Sequence, residues 1–242
     1  MARRALLLDL GRIGYGAAWG LQKHIWQLRV ADRIPDALIL VEHPHVITLG
    51  KSGRPQNLLV SEPELKRRGV ELYRVERGGD ITYHGPGQLV GYPIFRLADA
   101  LAGVRAFVAG IEESLIRALR AWNIRAERRP KLTGVWVGND KIAALGIAVR
   151  RHVTFHGFAL NVNDDLSYFS LIRPCGLTDM GVTSMARVAG KAIPMSAVKH
   201  QVGAAFEPVF DLRFELTRLG LSRETPDALR ITPDSQCAKR DA

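Results

Sequence analysis

The chain has 242 residues, of which 47% are hydrophobic and 24% are charged, a balance typical of one globular domain with a full core. It contains no apolar run that approaches the roughly 18–20 residues needed for a membrane-spanning helix. The formal net charge of +10 comes from scattered basic residues, and it is compatible with a solvated basic surface, with nucleic acid or with an acidic protein as a partner.

The amino-terminal half begins with a predicted strand. Residues 1–10 contain a short apolar run that meets Asp9 too early for a signal peptide, so they predict a first β-strand and a cytoplasmic protein. The elements that follow are a helix over residues 15–33, strands over residues 37–41 and 46–49, and a short helix from Ser61 to about Arg68.

The next feature is a glycine-rich segment, Arg77-Gly-Gly-Asp-Ile-Thr-Tyr-His-Gly-Pro-Gly-Gln. It matches neither the dinucleotide-binding nor the Walker pattern. Gly78-Gly79 would let the backbone approach a ligand closely, and Gly85-Pro86-Gly87 would form a stiff turn that fixes Tyr83 and His84. The alternative is a tight structural turn with incidental polar neighbours. We favour a loop that lines a ligand site, because glycine is concentrated there together with arginine, tyrosine and histidine side chains.

The carboxy-terminal half combines one long helix with several short strands. Its predicted elements are a strand over residues 89–95, a helix over 104–121, strands over 135–137, 142–149 and 158–162, and a helix from Ser196 to about Phe206. Since these strands follow one another with few helices between them, we predict an α+β fold with mixed or antiparallel sheets flanked by helices. From Ser222 onward the chain is polar and its end is expected to be frayed.

Two residues with reactive side chains stand out in this half, Lys141 and Cys175. Lys141 follows a turn at Gly138-Asn-Asp and opens an apolar run, so its side chain either extends to solvent or, if partly desolvated, acts as a base near neutral pH. Cys175 lies between proline and glycine on a predicted turn, which weakens its interpretation as a small core residue. A thiolate nucleophile needs a nearby cation or base, and Lys141 is a candidate, although the sequence does not show that the two touch.

The chain also has a second cysteine, Cys237, in the polar tail. Two cysteines make neither a zinc-site spacing nor a disulfide framework. In a reducing compartment we therefore expect Cys175 to be a free thiol.

Taken together, the glycine-rich segment and Pro174-Cys-Gly-Leu resemble the octanoyltransferases of lipoate biosynthesis, that is, the lipoyl(octanoyl) transferase family. The further matching segments are Lys141-Ile-Ala-Ala-Leu-Gly, His156-Gly-Phe-Ala-Leu-Asn-Val, Tyr15…Trp19…Leu21-Gln22, Glu42-His-Pro…Thr48-Leu-Gly, Gly134-Val-Trp and Val182-Thr-Ser. The resemblance extends in order over most of the chain, and only the tail is unmatched. The glycine-rich segment with a downstream Pro-Cys-Gly is a specific combination, whereas either alone would not be.

The resemblance implies a fold like that of the biotin and lipoate protein ligases, with a single catalytic acyltransferase domain over residues 1–215. Residues 216–242 would be a C-terminal extension with a partly disordered tail. The reaction would transfer octanoyl from octanoyl-acyl carrier protein to a lysine of the lipoyl domains of 2-oxoacid dehydrogenase E2 subunits or of the glycine cleavage H protein. The enzyme would act as a monomer without nucleic acid, membrane, metal or organic cofactor.

The same resemblance assigns roles to individual residues. Cys175 would carry the acyl group as a thioester, and Lys141 would lower the pKa of its thiol and act as base and acid. The acyl pocket would be lined by Arg77, Gly78, Gly79, Asp80, Ile81, Thr82, Tyr83, His84, Ala144, Leu145, Gly146, Gly157, Phe158 and Ala159. His156 and Gln88 are candidate orienting residues, and backbone N–H groups at Gly78-Gly79 or Cys175-Gly176 are candidates for holding the oxyanion.

Three other functions compete with this one. An ATP-dependent lipoate or biotin ligase of the same fold would use a lysine comparable to Lys141, but it would need no cysteine, so Pro174-Cys-Gly argues against it. A cysteine-dependent amidotransferase between lipoyl-bearing proteins would be expected to have its cysteine elsewhere. A nucleic-acid-binding module would fit the net charge but would leave the glycine-rich segment, Lys141 and Cys175 unexplained.

Overall fold

The computed structural model describes residues 2–97, 102–173, 180–221 and 229–233. Its strands are β1 (Arg3–Arg12), β2 (Asp36–Glu42), β3 (Val46–Leu49), β4 (Glu71–Arg74), β5 (Ile81–His84), β6 (Gln88–Ile94), β7 (Glu127–Arg129), β8 (Leu132–Val137), β9 (Asp140–Arg150), β10 (Val153–Asn161), β11 (Leu212–Leu221) and β12 (Leu229–Pro233). Its helices are α1 (Tyr15–Val30), α2 (Glu62–Arg67), α3 (Ala102–Arg120), α4 (Met185–Ala189) and α5 (Met195–Phe210). None of the helices in these described ranges is long and apolar enough to cross a membrane.

The strands form one large and one small sheet. The large sheet has the order β12-β11-β1-β2-β6-β10-β9-β8-β7, and the small sheet has the order β4-β3-β5. In the large sheet β1 runs parallel to both β2 and β11, whereas β6, β10, β9 and β8 pair with their neighbours in antiparallel fashion. This mixed topology confirms the predicted α+β class.

Helices cover both faces of the large sheet because its central strands are apolar on both sides. Along β2, Ile39 belongs to the cluster beneath α1, and its neighbour Leu40 belongs to the cluster beneath α3 and α5. On α3 the predicted stripe is buried, with Phe107 and Leu115 among its members. Such two-sided burial explains why the strand reads as a continuous apolar run instead of an alternating one.

Local sequence signals mark the ends of two short helices. Ser61 caps α2, since its side chain accepts a hydrogen bond from the backbone N–H of Glu64 at 3.4 Å. Gly190, which follows α4, adopts a left-handed conformation with φ of 68°, a conformation that glycine tolerates without steric cost. Helix α4 itself was missed by the sequence analysis, because five residues are too few to show a helical period.

The glycine-rich segment is only partly a loop, which corrects the prediction. Its residues Ile81–His84 form β5, antiparallel to β3 in the small sheet. The alternation expected of a strand is present, because Ile81 and Tyr83 belong to the apolar cluster of the small sheet, whereas Thr82 and His84 line a cavity. The glycines on each side of this four-residue strand obscured it in the sequence.

The carboxy-terminal strands lie at one edge of the large sheet. Strand β11 pairs with β1 from Leu212 to Leu216, and it crosses the predicted boundary between residues 215 and 216. Strand β12 pairs with β11 inside the stretch that was expected to be polar and frayed. The domain boundary itself stays a prediction.

Candidate functional site

Two adjoining cavities lie where the glycine-rich segment meets β9 and β10. Including their open mouths, the inner cavity has an empty space of about 380 Å³ and the outer cleft about 1270 Å³. Both cavities are lined by Arg77, Thr82, Ala144, Leu145 and Gly146. The two cavities therefore adjoin along these five residues.

Small residues keep the inner cavity narrow and open. A side chain on Gly157 would overlap the carbonyl oxygen of Gly91 on the neighbouring strand. A Cβ atom on Gly146 would lie 2.8 Å from the carbonyl oxygen of Gly78, closer than atoms of this kind approach one another. Glycine at these positions thus allows the strands and the glycine-rich segment to close tightly around an apolar slot.

The deep end of the inner cavity is built from aromatic and histidine side chains. The ring of Tyr15 stacks on that of His84, with centroids 6.1 Å apart, and Tyr92 completes the wall. Behind it, His43 Nδ1 lies 2.9 Å from the carbonyl oxygen of Ile13, and its Nε2 lies 2.8 Å from the hydroxyl of Tyr92. Because a carbonyl only accepts, Nδ1 of His43 carries the proton and Nε2 accepts from Tyr92.

The histidines at this end are held in the neutral form. Burial lowers the pKa of His43 to about 4, that of His84 to about 3 and that of His156 to about 4. For His156 the carboxylate of Glu76, 3.7 Å from Nε2, acts in the opposite direction but does not outweigh burial. The cavity therefore presents uncharged rings to its contents at neutral pH.

A prediction about pH follows from these three histidines. In an unfolded chain their pKa is about 6.5, so the unfolded state binds more protons than the folded state between about pH 6.5 and pH 4. Their contribution to stability is present above about pH 6.5 and lost as the pH falls, and each pKa unit corresponds to about 1.4 kcal/mol. We expect the free energy of unfolding, measured with urea, to fall steeply over this range.

The buried carboxyl group of Asp164 acts against this dependence of stability on pH. The variant His43→Gln isolates the effect of the histidines. Burial raises the pKa of Asp164 to about 7, so its contribution to stability is lost as the pH rises from about 4 to 7. Three histidines outweigh one carboxyl group. His43→Gln should make the acid slope shallower, whereas the control His200→Gln, at an exposed position, should leave it unchanged. Equal slopes in the two variants would contradict the assignment.

The outer cleft contains Lys141, which is half-buried at the start of β9. Its Nζ atom lies 4.7 Å from the centre of the Trp136 ring, on the paired strand β8. Space for the lysine chain depends on Gly134, where a Cβ atom would lie 3.1 Å from the Cε atom of Lys141 and 2.8 Å from a backbone oxygen. Gly134 is held in turn by Glu112, whose buried carboxylate accepts its N–H at 2.8 Å.

A buried guanidinium group lies between the two cavities. Arg77 donates from Nη2 to the carbonyl oxygen of Thr48 at 2.6 Å and to its hydroxyl at 2.9 Å. Its Nη1 donates to the carbonyl oxygen of Gly78 at 3.1 Å. These bonds fix a positive charge beside the residues that both cavities share.

The glycine-rich segment is anchored on both sides. The N–H of Gly78 donates to the carbonyl oxygen of Ile147 on β9 at 2.9 Å, so this N–H is already used and does not hold an oxyanion. On the other side Asp80 accepts hydrogen bonds from the backbone N–H of Arg54, at 3.1 Å, and from the side chain of Asn57. The segment is therefore a rigid wall of the site.

Most of the predicted pocket residues meet at these cavities. The inner cavity receives Arg77, Thr82, His84, Ala144, Leu145, Gly146, Gly157, Phe158 and Ala159, and the outer cleft also receives Gly78, Gly79, Asp80 and Ile81. Tyr83 faces the other side of β5, where its hydroxyl lies 2.7 Å from Nδ1 of His45 and its ring stacks on Tyr168. Cys175 and Cys237 lie outside the described residues.

Of the two candidate orienting residues, His156 lines the inner cavity and Gln88 lies behind His84. Gln88 Oε1 is 2.8 Å from Nδ1 of His84. Tyr92 and Val90 also line the inner cavity, although the sequence predicts them only as part of a buried strand. In the described ranges, no three His, Cys, Asp or Glu side chains come together as a group that could hold a metal ion.

Comparison with known proteins relates this site to a family. Residues 14–207 match the model of the lipoyl protein ligase A/B catalytic domain. The chain is 51% identical over 203 residues to an octanoyltransferase of Caldicellulosiruptor bescii, covering 83% of this chain and 89% of that protein. It is 47% identical over 214 residues to an octanoyltransferase of Desulforamulus reducens, covering 88% and 94%.

A solved structure has the same fold at low sequence identity. The bi-partite lipoate protein ligase of Thermoplasma acidophilum superposes with a TM-score of 0.69 at 18% identity, covering 90% of this chain and 88% of that one. This similarity concerns the fold alone, and it confirms the ligase-like architecture that the sequence resemblance implied.

Proposed function

We propose that this chain, which belongs to the lipoyl protein ligase A/B family, transfers octanoyl from acyl carrier protein to lipoyl domains through a thioester on Cys175. The relatives that are 51% and 47% identical to it are octanoyltransferases. The acceptors are a lysine of 2-oxoacid dehydrogenase E2 subunits and one of the glycine cleavage H protein. The observation that carries the proposal is that the two cavities adjoin along five shared lining residues. An alkyl chain in the inner slot would leave its carbonyl carbon at the outer cleft, where Lys141 lies.

The described residues on each side of residues 174–179 support a role for Cys175 at this cleft. On one side the N–H of Arg173 donates to the carbonyl oxygen of Asn57 at 2.8 Å, and Asn57 is bonded to Asp80 in the wall of the cleft. On the other side the carbonyl oxygen of Gly181 accepts the backbone N–H of Lys141 at 2.9 Å. Both ends of the segment that carries Cys175 are thus tied to the cleft.

The proposed reaction has two steps. In the first, the Cys175 thiolate attacks the carbonyl carbon of the carrier thioester, and the departing pantetheine thiolate takes a proton from the Lys141 ammonium group. In the second, the acceptor lysine amine attacks the Cys175 thioester, its proton passes to Lys141, and the Cys175 thiolate leaves. The exchange of one thioester for another needs no ATP, and formation of the amide makes the second step favourable.

The surroundings of the cleft support acidic protein partners. Lys131 lines the cleft. Three further exposed basic residues, Lys51, Arg54 and Arg173, lie beside the glycine-rich segment and its anchoring residues, which form the wall of the cleft. A cationic rim of this kind attracts acidic surfaces and favours fast encounter. The proposal also includes a monomer, a catalytic domain over residues 1–215 and a cytoplasmic location, where a free thiol persists.

The covalent step is tested by mass spectrometry of the protein mixed with octanoyl-acyl carrier protein and no acceptor. We expect an octanoyl adduct on the Cys175 peptide that hydroxylamine removes and that Cys175→Ser does not form. Cys237→Ser is the matched control and should be acylated like the wild type. If no adduct forms, and the protein acylates a lipoyl domain from free octanoate and ATP, the ligase function replaces the one proposed.

A further inference from the structure

A continuous line of buried polar groups connects the inner cavity to Lys141. It starts at His84 on β5, passes through Gln88 on β6 and Asn161 on β10, and ends at the backbone of Thr183. The side chains are 7%, 1% and 4% exposed for His84, Gln88 and Asn161, and Thr183 is 4% exposed. Buried amides of this kind are stabilising only when each of their groups is satisfied, so the line has a defined pattern of donors and acceptors.

The direction of each hydrogen bond in this line is set by the carbonyl oxygen of Thr183, which is the final acceptor. The carbonyl oxygen of Thr183 only accepts, so the Nδ2 atom of Asn161 donates to it, at 2.9 Å. The Oδ1 atom of Asn161 must then accept from Nε2 of Gln88, at 2.9 Å, and Oε1 of Gln88 must accept from Nδ1 of His84, at 2.8 Å. His84 is therefore fixed as the Nδ1–H tautomer, and its Nε2 atom keeps a lone pair.

The far end of the line holds the backbone beside Lys141. The N–H of Thr183 donates to the carbonyl oxygen of Lys141 at 3.0 Å, and the N–H of Lys141 donates to the carbonyl oxygen of Gly181 at 2.9 Å. Residues 181–183 thus run as a short extension parallel to the start of β9, with a bridge between Lys141 and Val182. Without the bond from Asn161, the carbonyl oxygen of Thr183 would lose its side-chain donor, and this extension would lose its link to β10.

We propose that Gln88 and Asn161 are positioning residues that set the place of Lys141 in the outer cleft through the backbone of Thr183. This inference rests on the proposed role of Lys141 and adds to it the residues that hold the lysine in register. It assigns to Asn161, which lines neither the inner cavity nor the outer cleft, an effect on the chemical step. The same line of hydrogen bonds also fixes the tautomer of His84 in the inner cavity, because Nδ1 of His84 donates to Gln88 at its other end.

The test compares Asn161, the last residue of β10, with Asn163, which lies two residues further along the chain. Asn161 and Asn163 both bond to backbone with their side-chain amides, but Asn163 bonds to Ile193, away from the line, at 2.8 and 2.9 Å. We expect Asn161→Ala to lower kcat roughly 10–100-fold with KM for the carrier thioester little changed, since a misplacement of about 1 Å has effects of this size. Asn163→Ala should keep the wild-type kcat.

A second readout reports on the thiol itself and separates positioning from loss of fold. The rate of alkylation of Cys175 by iodoacetamide, followed on its own peptide against pH, measures how well the nearby cation activates it. We expect the profile to shift to higher pH in Asn161→Ala and in Gln88→Glu, which has the same shape but lacks the donor to Asn161. Gln88→Glu also keeps the test usable if Asn161→Ala does not fold.

The outcomes distinguish this inference from the proposed function. If the wild type forms the Cys175 adduct, and the Asn161 and Gln88 variants match Asn163→Ala in kcat and in alkylation profile, then the positioning role is wrong and the proposed function stands. If the wild type forms no adduct, the proposed function itself fails.

Discussion

Replacing Lys141 with alanine is expected to lower kcat/KM for octanoyl transfer by roughly 10²–10⁴-fold, the range that a general acid–base group contributes. The ammonium group lies at the outer cleft, over the ring of Trp136, and this cleft adjoins the cavity that we propose as the acyl slot. Without it, neither the Cys175 thiol nor the departing pantetheine thiolate has its proton partner. The measurement is single-turnover acylation of Cys175, followed by transfer to a lipoyl domain.

A charge-conserving variant separates the two roles of this lysine. Lys141→Arg keeps a cation in the outer cleft, but a guanidinium group does not give up its proton near neutral pH. We therefore expect alkylation of Cys175 to remain close to the wild-type rate in Lys141→Arg while transfer stays low. Lys199→Ala, which removes a lysine paired with Asp9 on another face, is the control and should be fully active. Full transfer activity in Lys141→Arg would rule out the base role.

The sequence predicted the longer helices and the central strands because each of them has a strong local pattern of its own. The stripe on α3 and the apolar run of β2 needed no knowledge of their partners. The capping serine Ser61 fixed the start of α2 in the same way. These features depend on neighbours in sequence, so local reading is sufficient for them.

The cavities depend instead on pairings between distant residues. Tyr92 lines the inner cavity because β6 lies beside β10, with Gly91 opposite Phe158. Tyr15 joins it from a helix that precedes both strands. A period of two states which residues share a face, but not which strand lies next to them. Tyr83 was assigned to the pocket because residues 77–84 were interpreted as one loop, whereas the alternation along β5 places it on the other face.

The line of buried polar groups through Asn161 could not be predicted from the sequence for a related reason. Its signal in the sequence is one asparagine at the end of an apolar strand, a residue that most often ends a strand or begins a turn. Only the register of β10 against β6 brings it opposite Gln88, with Asn161 and Gln88 as partners in the sheet. Polar residues whose partners are far along the chain become interpretable only with the fold.

Replacing Ala144 with leucine is expected to change which acyl chain the enzyme accepts. Ala144 lines both cavities and is the sheet partner of Ala159 on β10, so a larger side chain there would project into the passage between them. A longer alkyl chain gains about 0.8 kcal/mol for each methylene group that the slot buries, and three carbon atoms of leucine would displace two or three of these groups. Octanoyl transfer should then fall roughly 10–100-fold in kcat/KM.

The dependence of the loss in kcat/KM on acyl chain length identifies its cause. Butanoyl thioester does not reach past the obstruction, so its kcat/KM should be unchanged in Ala144→Leu, and the order of preference among butanoyl, hexanoyl, octanoyl and decanoyl carriers should move to shorter chains. Ala17→Leu, on the exposed side of α1, is the control and should keep the wild-type order. An equal loss for all four chains would mean that the substitution damages the cleft instead of shortening the slot. Unchanged octanoyl transfer in Ala144→Leu would mean instead that the inner cavity is not the acyl site.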